Sequence, residues 1–270
     1  MRLMTLILCL LCLPPMARAE AVEVDMELFL AVDVSRSMSP AELEIQRRGY
    51  AEALTSEVVL AAIRGGPLGR IAIAYVEWAG EFSQRTVVPW TMIQTREDAA
   101  QVAAAIRANY EPGLRRTSIS GVLIHATGAI AGNDFEGLRR VIDVSGDGPN
   151  NQGRPVLRAR QAALDAGIVI NGLPLMTTDA LSEIWGIPDL DVYYRHCVIG
   201  GPGAFVIPVL RWDQFAEAVT RKLVLEIAAP RAPIIAPSRS DRAVTVNDAA
   251  YDCLIGEKMW ELNRSYFDIP

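Results

Sequence analysis

Five short apolar runs, separated mostly by longer amphipathic stretches, constrain the fold of this chain most strongly. The runs cover residues 28–32, 71–76, 141–144, 168–173 and 205–209. Runs of this length suit strands that are covered on both faces, and the stretches between them suit the covering helices. We therefore predict an α/β fold with a doubly wound, mostly parallel sheet of about six strands and helices on both faces.

One connection departs from this alternation. The run that ends near Trp78 and the next run, residues 82–90, are separated only by the stretch Ala79-Gly80-Glu81. So short a link is typical of a hairpin between two antiparallel neighbours. The sheet is therefore expected to carry one antiparallel edge strand.

The predicted helices have recognisable boundaries. The first begins with a capping box, because Ser39 can cap, Pro40 suits the first helical position and Glu42 lies three residues after the cap. Its apolar spacing continues until Gly65-Gly66-Pro67. Further helices are predicted near residues 95–108, 118–131, 155–166 and 212–228.

The N-terminal residues have the pattern of a secretory signal. Arg2 precedes an apolar run at residues 6–13, and Ala17-Arg18-Ala19 supplies small residues for cleavage. We predict cleavage after about Ala19, and hence a periplasmic or extracellular location. No other run approaches the roughly 18 to 20 apolar residues that a membrane span needs, so no span is predicted.

The charge of the secreted chain argues against two classes of partner. The formal charge is −6, and loss of Arg2 and Arg18 with the signal changes it to −8. A net negative surface is unsuited to nucleic acid or an anionic membrane as the main partner. We expect no nucleic-acid binding, and the sequence does not indicate an oligomeric state.

The C-terminal part of the chain differs in composition from the rest. Pro230, Pro233 and Pro237 disfavour a helix, and an aromatic-rich segment follows them. We predict a signal peptide at residues 1–19, a main domain at 20–229, a Pro-rich linker at 230–240 and an extension at 241–270. An oxidising compartment favours a disulfide between Cys197 and Cys253 that would dock the extension, and two separate buried thiols are the alternative.

Hydroxyl and carboxylate side chains follow the first apolar run. Asp33, Ser35 and Ser37 form an Asp-x-Ser-x-Ser loop between that run and the capped helix. This loop lies at the carboxyl edge of the predicted sheet, where ligands of open α/β sheets collect. Thr117 opens a predicted helix and Asp147 ends a predicted strand, so both are expected at the same edge. Taken singly, these residues could instead be turn formers or caps.

In these residues the chain resembles the von Willebrand factor type A domains, which include the inserted domains of integrins. The metal-ion-dependent adhesion site of that family uses Asp-x-Ser-x-Ser, a distant Thr and a distant Asp. The matching residues follow in the same order, as Asp33, Ser35, Ser37, Thr117 and Asp147. The resemblance covers residues 24–228 and looks closest to a secreted bacterial group with no assigned function. It identifies residues 20–229 as a type A-like domain.

The resemblance implies a protein-binding site rather than an enzyme. In the family, the serine and threonine hydroxyls bind the ion, and the aspartates act mainly through coordinated water or by hydrogen-bonding the ligands. A site of oxygen ligands alone suits a hard cation, which we expect to be Mg²⁺ or alternatively Mn²⁺ or Ca²⁺. Two carboxylates only balance the divalent charge. The ion would therefore take a further anionic oxygen from an Asp or Glu of a partner protein.

Two alternatives stay open at the level of the sequence. Asp33 could be the nucleophile of a metal-dependent phosphohydrolase. Against this, Ser35 stands where haloacid dehalogenase-like phosphatases need a second acid to protonate the leaving group. The chain could also be a structural periplasmic assembly protein with a vestigial metal site.

Two further expectations concern the surroundings of this site. The loops near residues 113–116, 149–151 and 187–194 are the candidates for the surface that selects the partner. Asp143 lies within a strand run and is expected to be a hydrogen-bonded structural carboxylate.

Overall fold

The structure is a computed structural model that describes residues 21–108, 114–177, 186–228 and 251–267. The predicted signal peptide at residues 1–19 and the predicted linker at 230–240 lie outside the described residues.

The strands of the described residues form two sheets. There are seven of them: β1 Val22–Val24, β2 Glu27–Asp33, β3 Ile71–Trp78, β4 Gln84–Ile93, β5 Phe135–Gly137, β6 Arg140–Gly146 and β7 Val169–Pro174. The main sheet has five strands in the order β4-β3-β2-β6-β7, and β1 and β5 form a separate parallel pair. Within the main sheet β2 pairs in parallel with β3 and β6, and β6 pairs in parallel with β7. The fold is therefore α/β with a mostly parallel sheet.

The helices of the described residues lie mostly between the strands. They are α1 Pro40–Thr55, α2 Glu57–Arg64, α3 Arg96–Ala108, α4 Ile119–Ala131, α5 Val156–Asp165, α6 Leu190–Tyr193, α7 Phe215–Ala228 and α8 Ile255–Phe267. A π-helical turn, Tyr194–Val198, continues α6, and a 3₁₀ turn, Trp212–Gln214, precedes α7. In the part of the chain that is described, no helix combines the length and apolarity that crossing a membrane requires.

The antiparallel strand lies where the short link predicts it. Strand β4 pairs antiparallel with β3 and forms one edge of the main sheet. The tight connection is held by the Ser83 amide, which donates to the Gly80 carbonyl at 2.9 Å. The chain therefore reverses within a few residues instead of crossing over the sheet.

The segment 205–209, predicted as a strand, does not become one. Val206 and Val209 form only isolated parallel bridges with β7 and the residue after it. Pro174 of β7 has no N–H to donate to the Ile207 carbonyl, so the ladder is interrupted between the two bridges. The main sheet consequently has five strands where the sequence predicts about six.

The prediction of one continuous first helix is also wrong, because the structure divides this segment into α1 and α2. Ser56 has extended backbone torsions (φ −69°, ψ 145°) and ends α1. Its side chain accepts from the Val59 amide at 3.4 Å, so the same residue caps α2. Serine competes well for backbone partners at such a position, and this favours a new helix start over continuation.

The core consists of two apolar clusters on opposite faces of the main sheet. Along β2, Leu28 and Leu30 belong to the cluster that includes residues of α1, α3 and α7. Phe29 and Ala31 belong to the other cluster, with residues of α4 and α5. Successive side chains of a strand point to opposite faces, so β2 is buried on both sides. This packing makes β2 and β6 a rigid platform for the loops at their carboxyl ends.

Candidate metal centre

Asp33 is the last residue of β2, and its side chain turns back onto the loop that follows. Its Oδ1 accepts from the Ser35 amide at 2.7 Å, and its carbonyl accepts from Gln46 Nε2 of α1 at 2.9 Å. Asp33 is fully buried. The strand, the loop and the first helix thus all hold Asp33 in place.

The two serines of the loop present their hydroxyls together. Ser35 Oγ and Ser37 Oγ are 3.1 Å apart, with Ser35 buried and Ser37 half-buried. Ser39 then begins α1 with the predicted capping box, because its hydroxyl accepts from the Glu42 amide and its amide donates to the Glu42 carboxylate. The early helix start keeps the loop short. It therefore places both hydroxyls beside the end of β2.

Thr117 reaches the same edge through a loop that pairs with the end of β2. The Leu114 amide donates to the Val34 carbonyl at 3.0 Å. Asn151 binds the backbone of Thr117 at two points. Its side-chain Oδ1 accepts from the Thr117 backbone amide at 3.0 Å, and its backbone amide donates to the Thr117 carbonyl at 2.8 Å. Both bonds use the Thr117 backbone, and neither uses the hydroxyl of this buried residue.

Asp147 follows β6, the parallel neighbour of β2. The register pairs Val32 with Ser145, so the next residues, Gly146 and Asp147, lie beside Asp33. Gly146 is required by close packing, because a Cβ there would lie 2.9 Å from both Asp33 Oδ2 and the Tyr194 hydroxyl. The structure therefore brings all five sequence-predicted residues to one edge of the sheet.

The electrostatics of this edge favour a cation. Burial, and next the nearby charge of Asp147, raise the pKa of Asp33 well above its usual value, although the Ser35 hydroxyl and the backbone amides of Ser35 and Asp147 oppose the shift. Asp33 Oδ2 is buried and accepts no hydrogen bond of normal geometry from the described residues. Two carboxylates so close together in a buried place repel each other unless one is protonated or a positive charge lies between them.

The donor set fits a hard cation. The described residues contain no group of three or more His, Cys, Asp and Glu side chains that could hold a metal. The candidate centre instead combines two carboxylates with the hydroxyls of Ser35, Ser37 and Thr117. Such oxygen ligands suit Mg²⁺, Mn²⁺ or Ca²⁺ better than a soft metal.

Several residues of the site were missed by reasoning from the sequence. Asn150 and Tyr194 fall in loops predicted to form the partner-selecting surface, but both are fully buried. Asn150 Oδ1 accepts from the Ser120 amide at 2.9 Å, which ties the loop after β6 to the first turn of α4. Gln46 holds the Asp33 carbonyl. Its place on the inward face of α1 was the only signal that could have indicated it.

Asp143 is a structural carboxylate, as expected, and the structure identifies its partner. Lys222 Nζ of α7 lies 2.6 Å from Asp143 and 2.5 Å from Glu226, and all three side chains are buried. Asn171 of β7 also donates to Glu226, at 2.9 Å. This cluster lies between the main sheet and α7 and is distinct from the candidate centre at the edge of the sheet.

The predicted disulfide is present. Cys197, in the π-helical turn, is bonded to Cys253, just before α8, with a Cα–Cα distance of 5.5 Å. The alternative of two separate thiols is therefore wrong. The bond fixes the start of the C-terminal helix against the π-helical turn that follows α6.

Comparison with known proteins gives a family and a set of similar folds. A family model described as "Protein of unknown function (DUF1194)" matches residues 23–231. No curated protein matches the sequence. Among solved structures, proximal thread matrix protein 1 from the mussel byssus is similar, with a TM-score of 0.54 and 16% identity. That match covers 78% of this chain and 49% of the other, so the chain spans about half the length of the mussel protein.

Two bacterial structures are similar to a comparable degree. The pilus adhesin SpaC from Lactobacillus rhamnosus GG has a TM-score of 0.57 at 10% identity, over 76% of this chain and 31% of that chain. The vWF domain of the type V pili tip protein Mfa5 from Porphyromonas gingivalis has a TM-score of 0.52 at 12% identity, over 79% of this chain and 99% of that chain. At these identities the likeness concerns the fold alone.

Proposed function

Since the chain belongs to the DUF1194 family and has the fold of a von Willebrand factor type A domain, we propose that it is a metal-dependent protein-binding domain. In this proposal a divalent cation lies at the carboxyl edge of the main sheet. The residues that would hold it, directly or through water, are Asp33, Ser35, Ser37, Thr117 and Asp147.

One observation carries the proposal: Asp33 Oδ2 is buried without a hydrogen-bond donor of normal geometry, and it lies beside a second carboxylate, that of Asp147. A buried carboxylate oxygen normally has a partner, because leaving it without one costs free energy. The hydroxyls of Ser35 and Ser37 lie at the same edge. A bound cation would give Asp33 Oδ2 a partner, offset the charge of both carboxylates and use the hydroxyls as neutral ligands.

The chemistry of these ligands favours binding over catalysis. When bound, the ion would supply an electrophilic centre. The two aspartates only balance its charge, and the serine and threonine hydroxyls are weak electron-pair donors. The ion would therefore accept one more anionic oxygen, such as an Asp or Glu carboxylate of a partner. A solved structure of the mussel protein has a metal-ion-dependent adhesion site (MIDAS) motif that is occupied by zinc. This supports a site for a divalent cation in this fold. We propose Mg²⁺, with Mn²⁺ or Ca²⁺ as alternatives.

A catalytic role for Asp33 is less well supported. Phosphoryl transfer to a carboxylate needs an acid near the leaving group. The nearest candidate on the loop is Ser35, whose hydroxyl lies 3.1 Å from that of Ser37 and is not acidic at neutral pH. We therefore propose a binding role and not a hydrolytic one.

The proposal includes delivery out of the cytoplasm. The signal pattern at residues 1–19 would direct the chain to the periplasm or the exterior. The disulfide suits an oxidising compartment, and the similar folds include a pilus adhesin and a pilus tip protein. We propose residues 20–229 as the binding domain, 230–240 as a linker and 241–270 as an extension.

The metal is tested by calorimetry of the mature protein with and without Mg²⁺ or Mn²⁺. A ligand at about 100 times its Kd stabilises the folded state by about 2.7 kcal/mol, so Tm should rise by several degrees. Asp33→Asn should abolish this rise, and Asp134→Asn, at an exposed carboxylate, should leave it intact. An equal rise in all three proteins would place the ion elsewhere and sink the proposal.

The partner is tested by capture from the native periplasm or culture medium. The wild type should retain a protein in Mg²⁺ and release it in chelator, whereas Asp33→Asn should retain none. A partner that binds Asp33→Asn and the wild type equally in chelator would contradict metal-dependent capture.

A further inference from the structure

The C-terminal helix α8 lies against the loops that carry two of the proposed ligands. Its start is anchored by the bond between Cys253 and Cys197. Next to that bond, the Tyr251 hydroxyl donates to Asp189 at 2.9 Å, and the Tyr251 ring stacks on His196 at 5.7 Å between centroids. These contacts fix the helix beside the carboxyl edge of the main sheet.

One side of α8 contacts the loop that follows Asp147. Gly256 packs directly on the Asn150 backbone, and a Cβ at this position would collide with the Asn150 carbonyl. Glu257 Oε1 then accepts from Asn150 Nδ2 at 2.7 Å. The other side-chain atom of Asn150, Oδ1, accepts from the backbone amide of Ser120 in α4. Asn150, fully buried, therefore connects α8, the Asp147 loop and the first turn after Thr117.

A second contact involves the residue immediately before Thr117. Arg116 has a positive φ of 78°, the only such non-glycine residue among those described. This left-handed conformation is unfavourable for an arginine and needs support from its surroundings. The support comes from α8, because the Arg116 guanidinium lies 3.2 Å from the centre of the Trp260 ring. A cation above the indole face is attracted by the ring.

From these contacts we infer that α8 is part of the metal centre: Glu257 and Trp260 are positioning residues for the loops of Asp147 and Thr117, and the Cys197–Cys253 disulfide keeps them in place. Affinity for the divalent ion then depends on the redox state of this bond. The inference rests on the proposed function, since it concerns the same site. It adds a control that lies outside the type A-like domain.

The tether matters because α8 is short. A helix of 13 residues is marginal by itself in water. It forms here by packing, and a covalent link to the domain raises its effective concentration at the docking site. Reduction removes that link at the end from which Gly256 and Glu257 make their contacts. The loops of Thr117 and Asp147 then lose their outer support.

The experiment is a titration of the full mature chain with Mn²⁺, with free Mn²⁺ followed by electron paramagnetic resonance. Loss of a residue that hydrogen-bonds a metal ligand typically weakens metal binding about 10-fold to 100-fold, and since Glu257 and Trp260 act one contact further out, the lower end, about 10-fold, applies. We expect that loss for Glu257→Ala, for Trp260→Leu, for Cys253→Ser and for the wild type reduced with a phosphine. Glu261→Ala, an exposed glutamate one turn further along α8, is the matched control and should bind as the wild type does. Glu257→Gln keeps the acceptor oxygen and should restore most of the affinity.

A second readout needs no metal. Hydrogen exchange of the metal-free protein should rise at residues 114–121 and 146–152 when the disulfide is reduced, and stay unchanged in Glu261→Ala. If α8 only adds stability, reduction or the α8 variants would lower Tm without changing exchange in these loops or Mn²⁺ affinity. That result would overturn this inference and leave the proposed function intact. If the oxidised wild type binds no Mn²⁺, the proposed function and this inference both fail.

Discussion

At the scale of single residues, the candidate centre depends on Gly146. This residue lies at the end of β6, and its missing Cβ leaves room for Asp33 Oδ2 and the Tyr194 hydroxyl. The neighbouring groups, the Asp33 carboxylate and the Tyr194 phenol, are both buried, so neither can move aside into solvent. The position therefore has little freedom to adjust.

Gly146→Ala is expected to destabilise the fold by about 1–3 kcal/mol through overpacking, and to weaken metal binding by displacing the Asp33 carboxylate. Urea unfolding and a Mn²⁺ titration measure the two effects. Gly128→Ala is the control, because a Cβ on Gly128 of α4 meets nothing within 4 Å. That change should stabilise the protein by roughly 0.4–1 kcal/mol. Comparable stability of the two variants would refute the close-packing argument.

Asp143 shows a second effect at this scale, a dependence of stability on pH. Burial, and next the charge of Glu226, raise its pKa from 3.8 to about 7, although Lys222 opposes the shift. The folded protein therefore keeps a proton that the unfolded chain has lost between these two pH values. The resulting stabilisation is complete below the unfolded pKa and is lost as pH rises through about 7.

We expect the free energy of unfolding in metal-free buffer to fall between the unfolded pKa of 3.8 and the folded pKa of about 7, with a slope from this proton of at most about 1.4 kcal/mol per pH unit. Asp143→Asn removes the titrating group but leaves Lys222 paired with Glu226. The difference between the wild type and this variant should therefore change with pH in urea unfolding. A difference that stays constant across the range would show that Asp143 does not titrate there.

At the scale of elements, α1 links the loop of Ser35 and Ser37 to α7. Glu42 accepts from the Ser39 amide at 2.7 Å and thereby completes the capping box. Its other oxygen accepts from Trp212 Nε1 at 2.7 Å, in the turn that precedes α7. One carboxylate thus serves both the start of a helix and a contact between two helices.

Glu42→Ala should therefore destabilise the protein more than Ser39→Ala does. Ser39→Ala removes the cap bond of the serine hydroxyl, which costs about 1 kcal/mol. Glu42→Ala removes the reciprocal bond of the capping box and, in addition, the charge-assisted bond from Trp212, which is worth about 1.5–3 kcal/mol. Urea unfolding compares the two, with Glu44→Ala at an exposed site of α1 as the control. If Ser39→Ala and Glu42→Ala cost the same, the Trp212 bond contributes nothing to stability.

At the scale of the whole molecule, the disulfide connects parts of the chain that are 56 residues apart. Cys253 and Ile255 pack against the cluster that covers one face of the main sheet. Most of that cluster is built from β2, β6 and the helices α4 and α5. The main core is therefore expected to persist without the bond.

Reduction in metal-free buffer should lower the free energy of unfolding by about 2–4 kcal/mol, because the open chain gains conformational entropy in its unfolded state. The far-UV circular dichroism of the native state should change little. Denaturant unfolding with and without a phosphine measures the first effect, and spectra before unfolding measure the second. Collapse of the secondary structure on reduction would contradict an independent core.

Local patterns in the sequence were sufficient for much of the fold. Apolar runs and amphipathic spacing predict the strands β2, β3, β6 and β7 and most of the helices. The short link before β4 predicts its antiparallel pairing, and Ser39 with Glu42 predicts the start of α1. The order of Asp33, Thr117 and Asp147 predicts their meeting at one edge, because parallel strands end on the same side. That these residues hold an ion stays a prediction.

By itself, then, the sequence determined the type of each main element and the edge of the sheet at which the polar residues collect, since both follow from backbone preferences and side-chain periodicity over a few residues. Only the tertiary structure decided that Lys222 pairs with Asp143, that Asn150 is a buried link and that Trp260 lies beneath Arg116. These contacts join residues far apart in the chain. Their partners are selected by packing and by the need to satisfy buried polar groups, which no local pattern encodes.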